Sequence, residues 1–403
     1  MLRIAHLGRP NFALRALSGL IGGPTLGIRI VLTGPDMRDL DELRRELSSL
    51  DVELLELVAR RQKLVAEIGR VKSTAGLGTR DYAREKDVLG LARRTARRLG
   101  VDPDVGEEIF RILIRTSLAT QEQDKVATFG KGNGKRALVV GGAGQMGRWF
   151  ARFLASQGYE VEICDIRQEL PGYPNQPDLE RGRLDQDLIV VTTPIAETAE
   201  ILKLLGRHRP RGVIFDISSL KGPLVDGFRV LREAGCRVTS VHPMFGPDTE
   251  LLSGHNLVIV DVGVPEATRF VRELFSPTMA DQVEMSLEEH DRAMAYVLGL
   301  SHAMNIAFFK ALADSGEDAN ELARLSSSTF DAQLDVASHV ARENPYLYFE
   351  VQTLNAHSPR ALVALLNAVT QVAARVLDGD EQGFVELMEQ GKAFLAQRPE
   401  DRP

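Results

Sequence analysis

The chain has 403 residues, enough for two or three domains with ample core. Hydrophobic residues make up 44% and charged residues 26%, a globular composition without an apolar run near the roughly 20 residues of a bilayer span. The net charge of −7 and a pI near 5.7 give no support to a nucleic-acid or membrane-surface partner. Cys164 and Cys236 form neither a disulfide framework nor a metal spacing, which fits a reducing, cytoplasmic compartment.

Residues 1–36 hold Arg3, Arg9, Arg15 and Arg29 but no acid before Asp36. They lack the continuous apolar segment and cleavage site of a targeting peptide. They read as an extension, or as a start codon set ahead of Met37, with a targeting peptide as the lesser alternative. From Leu40 the apolar positions run Leu40, Leu43, Leu47, Leu50, Leu54, Leu57, then Arg61, then Leu64, Ile68 and Val71. This 3-4 alternation predicts one helix over 38–72, packed along a seam. Its lone seam would be left open in a single chain, so a homodimer is expected. A second helix is predicted from near Asp81. A third runs from about Pro103 to Gln121, with Asp102 as N-cap and Pro103 in the first turn.

The seam carries a permanent cation, Arg61. On the third helix Ile109, Leu113, Ser117 and Gln121 form an i, i+4 row whose end is polar. Asp81 and Glu85 share a face of the second helix beside Arg84, and Lys72 ends the seam helix. Arg44 lies 17 residues before Arg61, about 100° away at roughly 100° per residue, and points elsewhere, toward a partner protomer. Singly, each residue reads as structural, with Arg61 paired to Glu85 or Asp81 to fix helix register. Together they make a polar pocket with surplus cations, suited to a ligand with more than one carboxylate.

Residues 40–123 resemble the all-helical chorismate mutases. Arg44, Arg61, Lys72, Asp81, Arg84, Glu85, Ser117 and Gln121 each fall on an active-site position of that family, none substituted. The resemblance implies that Arg61 and the partner's copy of Arg44 hold the carboxylates of chorismate. Lys72 and Gln121 would contact the ether oxygen, Glu85 and the Asp81 region the ring hydroxyl, and Arg84 and Ser117 would complete the pocket. The rearrangement to prephenate is pericyclic, so no nucleophile is required.

After the polar, Gly-rich stretch 124–136, read as a linker, strands alternate with helices. The strand signals are "RALVVGG", "YEVEICD", "DLIVVTTP", "RGVIFDIS", "CRVTSVHP" and "NLVIVD", which predict a mainly parallel sheet with crossovers. "VVGGAGQMGRWF" follows the first strand and opens a helix. Gly142, Gly144 and Gly147, with Gln145 and Met146 among them, fit G-x-G-x-x-G. Asp165, 23 residues past Gly142, stands where an acid binds a ribose 2′-hydroxyl and repels a 2′-phosphate. The cofactor is therefore read as NAD. From about Asp291 the chain is expected to be helical throughout.

"SVHPMFGPD" ends the fifth strand at His242; with "VTTPI", "DISSLKGP" and "EEHDRAMAYVLGLSHA" it resembles prephenate dehydrogenase over about residues 136–355. The fusion order is that of the bifunctional chorismate mutase–prephenate dehydrogenases. The resemblance implies that His242 bonds the ring hydroxyl of prephenate and helps take its proton as hydride leaves for NAD. Carbon dioxide loss then gives 4-hydroxyphenylpyruvate, the precursor of tyrosine. Thr192 takes the place of a family serine near the nicotinamide, and Lys221 and His302 match polar positions near the substrate. The expected organisation is therefore an extension (1–36), a mutase (37–123), a linker (124–136), a Rossmann-like NAD-binding domain (137–290) and a helical dimerisation and substrate domain (291–403).

One part of the pattern breaks. Two family arginines that bind the substrate are replaced by His339 and Asp331 in "LSSSTFDAQLDVASHVARENPYLYFE". Histidine with an ordinary pKa is mostly neutral at pH 7. Three readings follow. His339, with Arg342 or Lys221, binds the ring carboxylate; or the substrate carries an ammonium group, as in arogenate or 4-amino-4-deoxyprephenate, paired with Asp331; or the second domain binds NAD without turnover.

Overall fold

A computed structural model describes residues 39–75 and 77–397. The expectation for residues 1–36 lies outside them. Residues up to Val58 belong to one compact unit and those from Ala59 onward to another.

Helix α1 spans Leu40–Thr74, α2 Tyr82–Leu99 and α3 Pro103–Phe129. The Asp102 carboxylate accepts from Asp104 N with Pro103 in the first turn, as the sequence predicts, and Asp81, expected only near the start of α2, caps it by accepting from Arg84 N. Gly100, at φ +73, ends α2, a left-handed turn that glycine adopts without penalty. α2 and α3 pack closely where Gly106 meets Ala96, since a Cβ on Gly106 would stand 2.7 Å from the alanine methyl. The seam of α1 is exposed in the single chain, with Leu40, Leu64 and Val71 at 59%, 54% and 69%. Helix α3 continues to Phe129, so the first half of the stretch read as a linker is helical and the connection shrinks to 130–135. No breaker precedes Gly130, and buried Val126 anchors the extra turns in the core of the sheet domain.

The sheet domain follows as β1 Arg136–Val140, α4 Gln145–Ser156, β2 Glu160–Cys164, β3 Leu188–Val191, α5 Ile195–His208, β4 Val213–Asp216, α6 Val225–Glu233, β5 Arg237–Pro243, β6 Asn256–Asp261, α7 Pro265–Phe275 and β7 Asp281–Ser286. The seven strands lie in the order β2-β1-β3-β4-β5-β6-β7. The first five are parallel; β6 runs antiparallel to β5, and β7 parallel to β6. All six expected strands are present. The seventh, "DQVEMS", was missed because its polar edge-strand residues give no apolar signal. Central strands are buried on both faces, Ala137 to Val140 and Leu188 to Val191 being 0–3% exposed, as crossover helices on both sides require.

The chain turns back between β2 and β3, so the loop after β1 lies at the switch in strand order, where ligands bind in open sheets. Helix α8 (Leu287–Met294) begins at the Ser286–Glu289 capping box. It passes through a π-helical turn, Ala295–Leu300, into α9 (Ser301–Asp314). Short α10 (Ala319–Arg324), α11 (Ser328–Arg342), α12 (Pro345–Thr353), α13 (Ser358–Leu377) and α14 (Glu381–Leu395) complete the helical domain. Contrary to the reading from unbroken apolar runs, two stretches, Leu287–Asp314 and Ser358–Leu377, reach the length and apolarity of a bilayer span. Their scattered polar residues hide this from a run count. Leu366, Val369 and Val376 on α13 are exposed in the single chain.

Candidate active sites

In the helical module Arg61 reaches from α1 to α3. Its Nη1 donates to Leu113 O at 3.0 Å and to Ser117 Oγ at 2.6 Å. The hydroxyl of Ser117 in turn donates to Leu113 O at 2.6 Å. Burial lowers the Arg61 pKa below its ordinary value. The ion pair of Arg61 with Glu85 or Asp81 does not form: Glu85 is held by Arg80, and Asp81 caps α2. Among the described residues no carboxylate compensates Arg61. Lys72 Nζ donates to Thr79 O at 3.1 Å. Gln121 faces Gly69 of α1 so closely that a Cβ there would stand 2.9 Å from its Cγ, and its Oε1 is buried without a partner. Ser117 and Gln121 on α3 therefore line the same face of α1 as Arg61 and Gly69. Arg84 is exposed. Arg44 belongs to the first unit, with a 68% exposed side chain 3.5 Å from Asp41.

The site so built has two under-compensated cations, a hydroxyl and an amide with a free acceptor. It lacks a nucleophile–base pair. Such a pocket can bind and fold a polyanion and stabilise negative charge, but it cannot abstract protons efficiently.

In the sheet domain, Gly142 and Gly147 stand where side chains would clash. A Cβ on Gly142 would meet Ile163 Cγ2 at 2.5 Å, and one on Gly147 the Gly141 carbonyl at 2.2 Å. Gly141, at φ +78, makes the turn. α4 begins after Gly144 with no side-chain cap and no acid in its first turn, where Gln145 and Met146 lie. Its free N–H groups fit a pyrophosphate. The Asp165 carboxylate accepts from Ala143 N, Arg167 N and Gln168 N at 3.1, 2.9 and 3.2 Å. Of about four lone-pair directions on a carboxylate, one remains for a ribose hydroxyl. Thr192 Oγ1 donates to Val140 O at 2.8 Å, so its proton is committed to the glycine loop and only its lone pairs face outward. These residues fit a dinucleotide.

His242, 4% exposed, is the head of a buried chain. Its Nδ1 lies 2.9 Å from His290 Nε2, and His290 Nδ1 lies 2.8 Å from Asp291 Oδ1. Asp291 also accepts from Lys221 N at 2.9 Å and Gly222 N at 2.6 Å. Burial works to raise the Asp291 pKa, but these hydrogen bonds outweigh it and the net direction is down. With Asp291 ionised the protons have one order: His290 Nδ1–H donates to Asp291, and His242 Nδ1–H donates to His290 Nε2. His242 Nε2 is left as a lone pair. Burial, helped by the charges of Lys221 and His290, pushes His242 well below 6.5, and burial also lowers His290. His242 is thus a neutral base. His290 and Asp291 carry no assignment from the sequence; the adjacent "HD" in "EEHDRAM" is the available signal, but only the contact of His290 on α8 with His242 at the end of β5 gives it meaning.

Three expectations are corrected or narrowed. Lys221 is not exposed to a ligand: it is 0% exposed, and its Nζ bonds Asp216 Oδ2 at 3.0 Å and Val241 O at 2.8 Å. Its burial follows from its place just past β4, under α8. His339 is exposed on α11, and the Asp331 carboxylate accepts from Ser326 Oγ, so neither joins the His242 chain. His302 on α9 lies against Tyr348, ring centroids 4.1 Å apart, with its Nδ1 buried and unpartnered.

A glycine loop at the strand-order switch and a buried base at the end of β5 define a dinucleotide-dependent dehydrogenase, preceded by a cationic helical pocket. The family profile "Chorismate mutase type II" matches residues 43–122. "Prephenate dehydrogenase, nucleotide-binding domain" matches 172–280, and "Prephenate dehydrogenase, dimerization domain" matches 286–390. The T-protein of Enterobacter agglomerans is 30% identical over 348 residues, covering 86% of this chain and 90% of that protein. The T-protein of Haemophilus influenzae is 28% identical, covering 87% and 90%. Among solved structures, Aquifex aeolicus prephenate dehydrogenase in complex with hydroxyphenyl propionate and NAD+ shares the fold, with a TM-score of 0.54, 19% identity, and 65% and 98% of the two chains covered. The chain belongs to the T-protein family, the bifunctional chorismate mutase–prephenate dehydrogenases of tyrosine biosynthesis.

Proposed function

We propose that the helical pocket rearranges chorismate to prephenate and that the sheet domain oxidises prephenate with NAD to 4-hydroxyphenylpyruvate. The observation that carries the first step is Arg61, a partly desolvated guanidinium on an apolar stripe with no carboxylate partner. A ligand carboxylate completes its coordination. The partner's copy of Arg44 adds a second cation, while Lys72 and the side-chain amide of Gln121 flank the ether oxygen. Negative charge growing on that oxygen is met by the Lys72 ammonium and the Gln121 amide N–H, which is where rate enhancement arises in a rearrangement without acid–base steps.

For the second step, NAD supplies the hydride acceptor. His242 Nε2 takes the ring-hydroxyl proton as C4 becomes a carbonyl, and the positive charge is shared along His290 toward Asp291. Loss of carbon dioxide then yields the aromatic ring. His302, with its unpartnered Nδ1, is a contact for the substrate. Prephenate rather than an ammonium-bearing relative is favoured because Asp331 is exposed and already accepts a hydroxyl.

The exposed seam of α1 and the exposed apolar face of α13, which lies in the stretch matched by the dimerization profile, support a homodimer. Burial of these faces at such an interface, rather than in a bilayer, also fits a cytoplasmic enzyme.

One cuvette tests this function. Purified protein with chorismate and NAD should consume chorismate and form NADH together. Chorismate loss without NADH, even when prephenate is added, would refute the second step; NADH formation only with arogenate or its amino analogue would reassign the substrate.

A further inference from the structure

Arg80 belongs to neither set of site residues, yet it joins the two domains. Its guanidinium forks onto Glu85, Nε to Oε1 at 3.0 Å and Nη2 to Oε2 at 3.2 Å. Its Nη1 donates to Ser253 Oγ at 2.7 Å, and its plane lies 4.4 Å from the centroid of Tyr82. The guanidinium is therefore held on one edge, at its end and on its face. Ser253 comes from the loop between β5 and β6, which leaves the sheet after Pro243, one residue past His242.

That loop is itself anchored. Trp149 Nε1 donates to Thr249 O at 2.9 Å. Leu252 N donates to Glu122 Oε2 at 2.7 Å, and Met279 N donates to the other oxygen of the same carboxylate. Glu122 is 3% exposed and follows Gln121 on α3. Thr79, just before Arg80, supplies the carbonyl that holds Lys72. One short segment between α1 and α2 thus sets both Lys72 and Glu85, and a dehydrogenase-domain hydroxyl pins it.

We propose that Arg80 is a positioning residue for the mutase, fixing the plane of the Glu85 carboxylate, and that Ser253 of the dehydrogenase domain holds Arg80 in that pose. The inference rests on the mutase reading of the helical pocket. A bidentate guanidinium takes one lone pair on each Glu85 oxygen and leaves the others for a substrate hydroxyl. If Arg80 swings away, that acceptor loses its aim.

The test uses the full chain with Ser253→Ala, Ser253→Thr, Arg80→Lys and Arg61→Ala, assaying chorismate loss and prephenate-driven NADH formation separately, with a thermal midpoint for each variant. Ser253→Ala should raise the mutase KM about fivefold with kcat little changed, and Arg80→Lys should lower mutase kcat/KM about tenfold. Ser253→Thr, which keeps the hydroxyl, should restore the wild-type KM. NADH formation should stay at wild type in all three. Unchanged mutase KM in both Ser253→Ala and Arg80→Lys would overturn the proposal. So would a loss of both activities together with a lowered midpoint, the mark of a merely structural contact. Arg61→Ala separates the two levels: if it retains full mutase activity, the reading of the pocket itself fails. If it is inactive while Ser253→Ala and Arg80→Lys behave as wild type, only the positioning role fails.

Discussion

Two cations lie at the hearts of two sites, and their surroundings are opposite. Lys221 is sealed, 0% exposed, and paired to Asp216 with a further bond to a carbonyl. Arg61 is only partly buried and bonds neutral oxygens alone. The first is finished without a ligand; the second, in the proposed function, is completed by one. The difference follows the chemistry. Proton abstraction needs a base whose charge state and tautomer are set before substrate arrives, so the His242–His290–Asp291 chain and its Lys221 support are built into the fold. A pericyclic rearrangement needs only placed charge, which the pocket can leave open until the dianion enters.

The hardest test of that contrast is the base itself. His242→Asn should lower dehydrogenase kcat about 10²- to 10⁴-fold while chorismate consumption stays at wild type; a modest loss would remove His242 from the proton path. Next come the two cations, compared by stability. Lys221→Met leaves Asp216 buried and unpaired and should cost about 3–5 kcal/mol in denaturant unfolding. Arg61→Met orphans no buried charge and should change stability by less than about 1 kcal/mol while abolishing the mutase. Equal costs would erase the distinction between the two cations.

The smallest effect is with pH. Because the folded state holds His242 well below 6.5, the base stays neutral through mildly acidic solution. The acid limb of dehydrogenase kcat/KM should therefore fall below pH 6.5, while an ordinary histidine would place it at 6.5. The linkage has a definite sign: below pH 6.5 the unfolded chain binds a proton that the folded chain refuses. The stability from neutral His242 is thus fully present above pH 6.5 and declines as the pH falls beneath it. An acid limb at or above 6.5 would mean that the buried chain carries a proton when at rest.

Patterns of local spacing made much of this molecule legible. The 3-4 seam of α1, the cap at Asp102, six strands and the glycine loop each rest on neighbours within a few turns of chain. The eight mutase positions came from the resemblance to the all-helical chorismate mutases; helix spacing alone showed only the Asp81–Glu85 and Ser117–Gln121 pairs. Edge strand β7 was not legible, since its partner β6 rather than its own apolar content makes it a strand. The helical continuation of α3 through Phe129 was hidden by polar composition and decided by Val126 docking in another domain's core.

By itself, then, the sequence determined the first three helices to within their ends, six of the seven strands, the cofactor loop and the identity of the cation on the seam, because each depends on periodicity or on a motif closed over short range. Tertiary structure decided who pairs with whom. It gave Glu85 to Arg80 rather than to Arg61, buried Lys221 away from ligand contact, and joined His242 to His290 across 48 residues of chain. Ion pairs and proton relays depend on a few ångströms between elements remote in sequence. No local pattern encodes those distances until the sheet, its loops and the helices on it have packed.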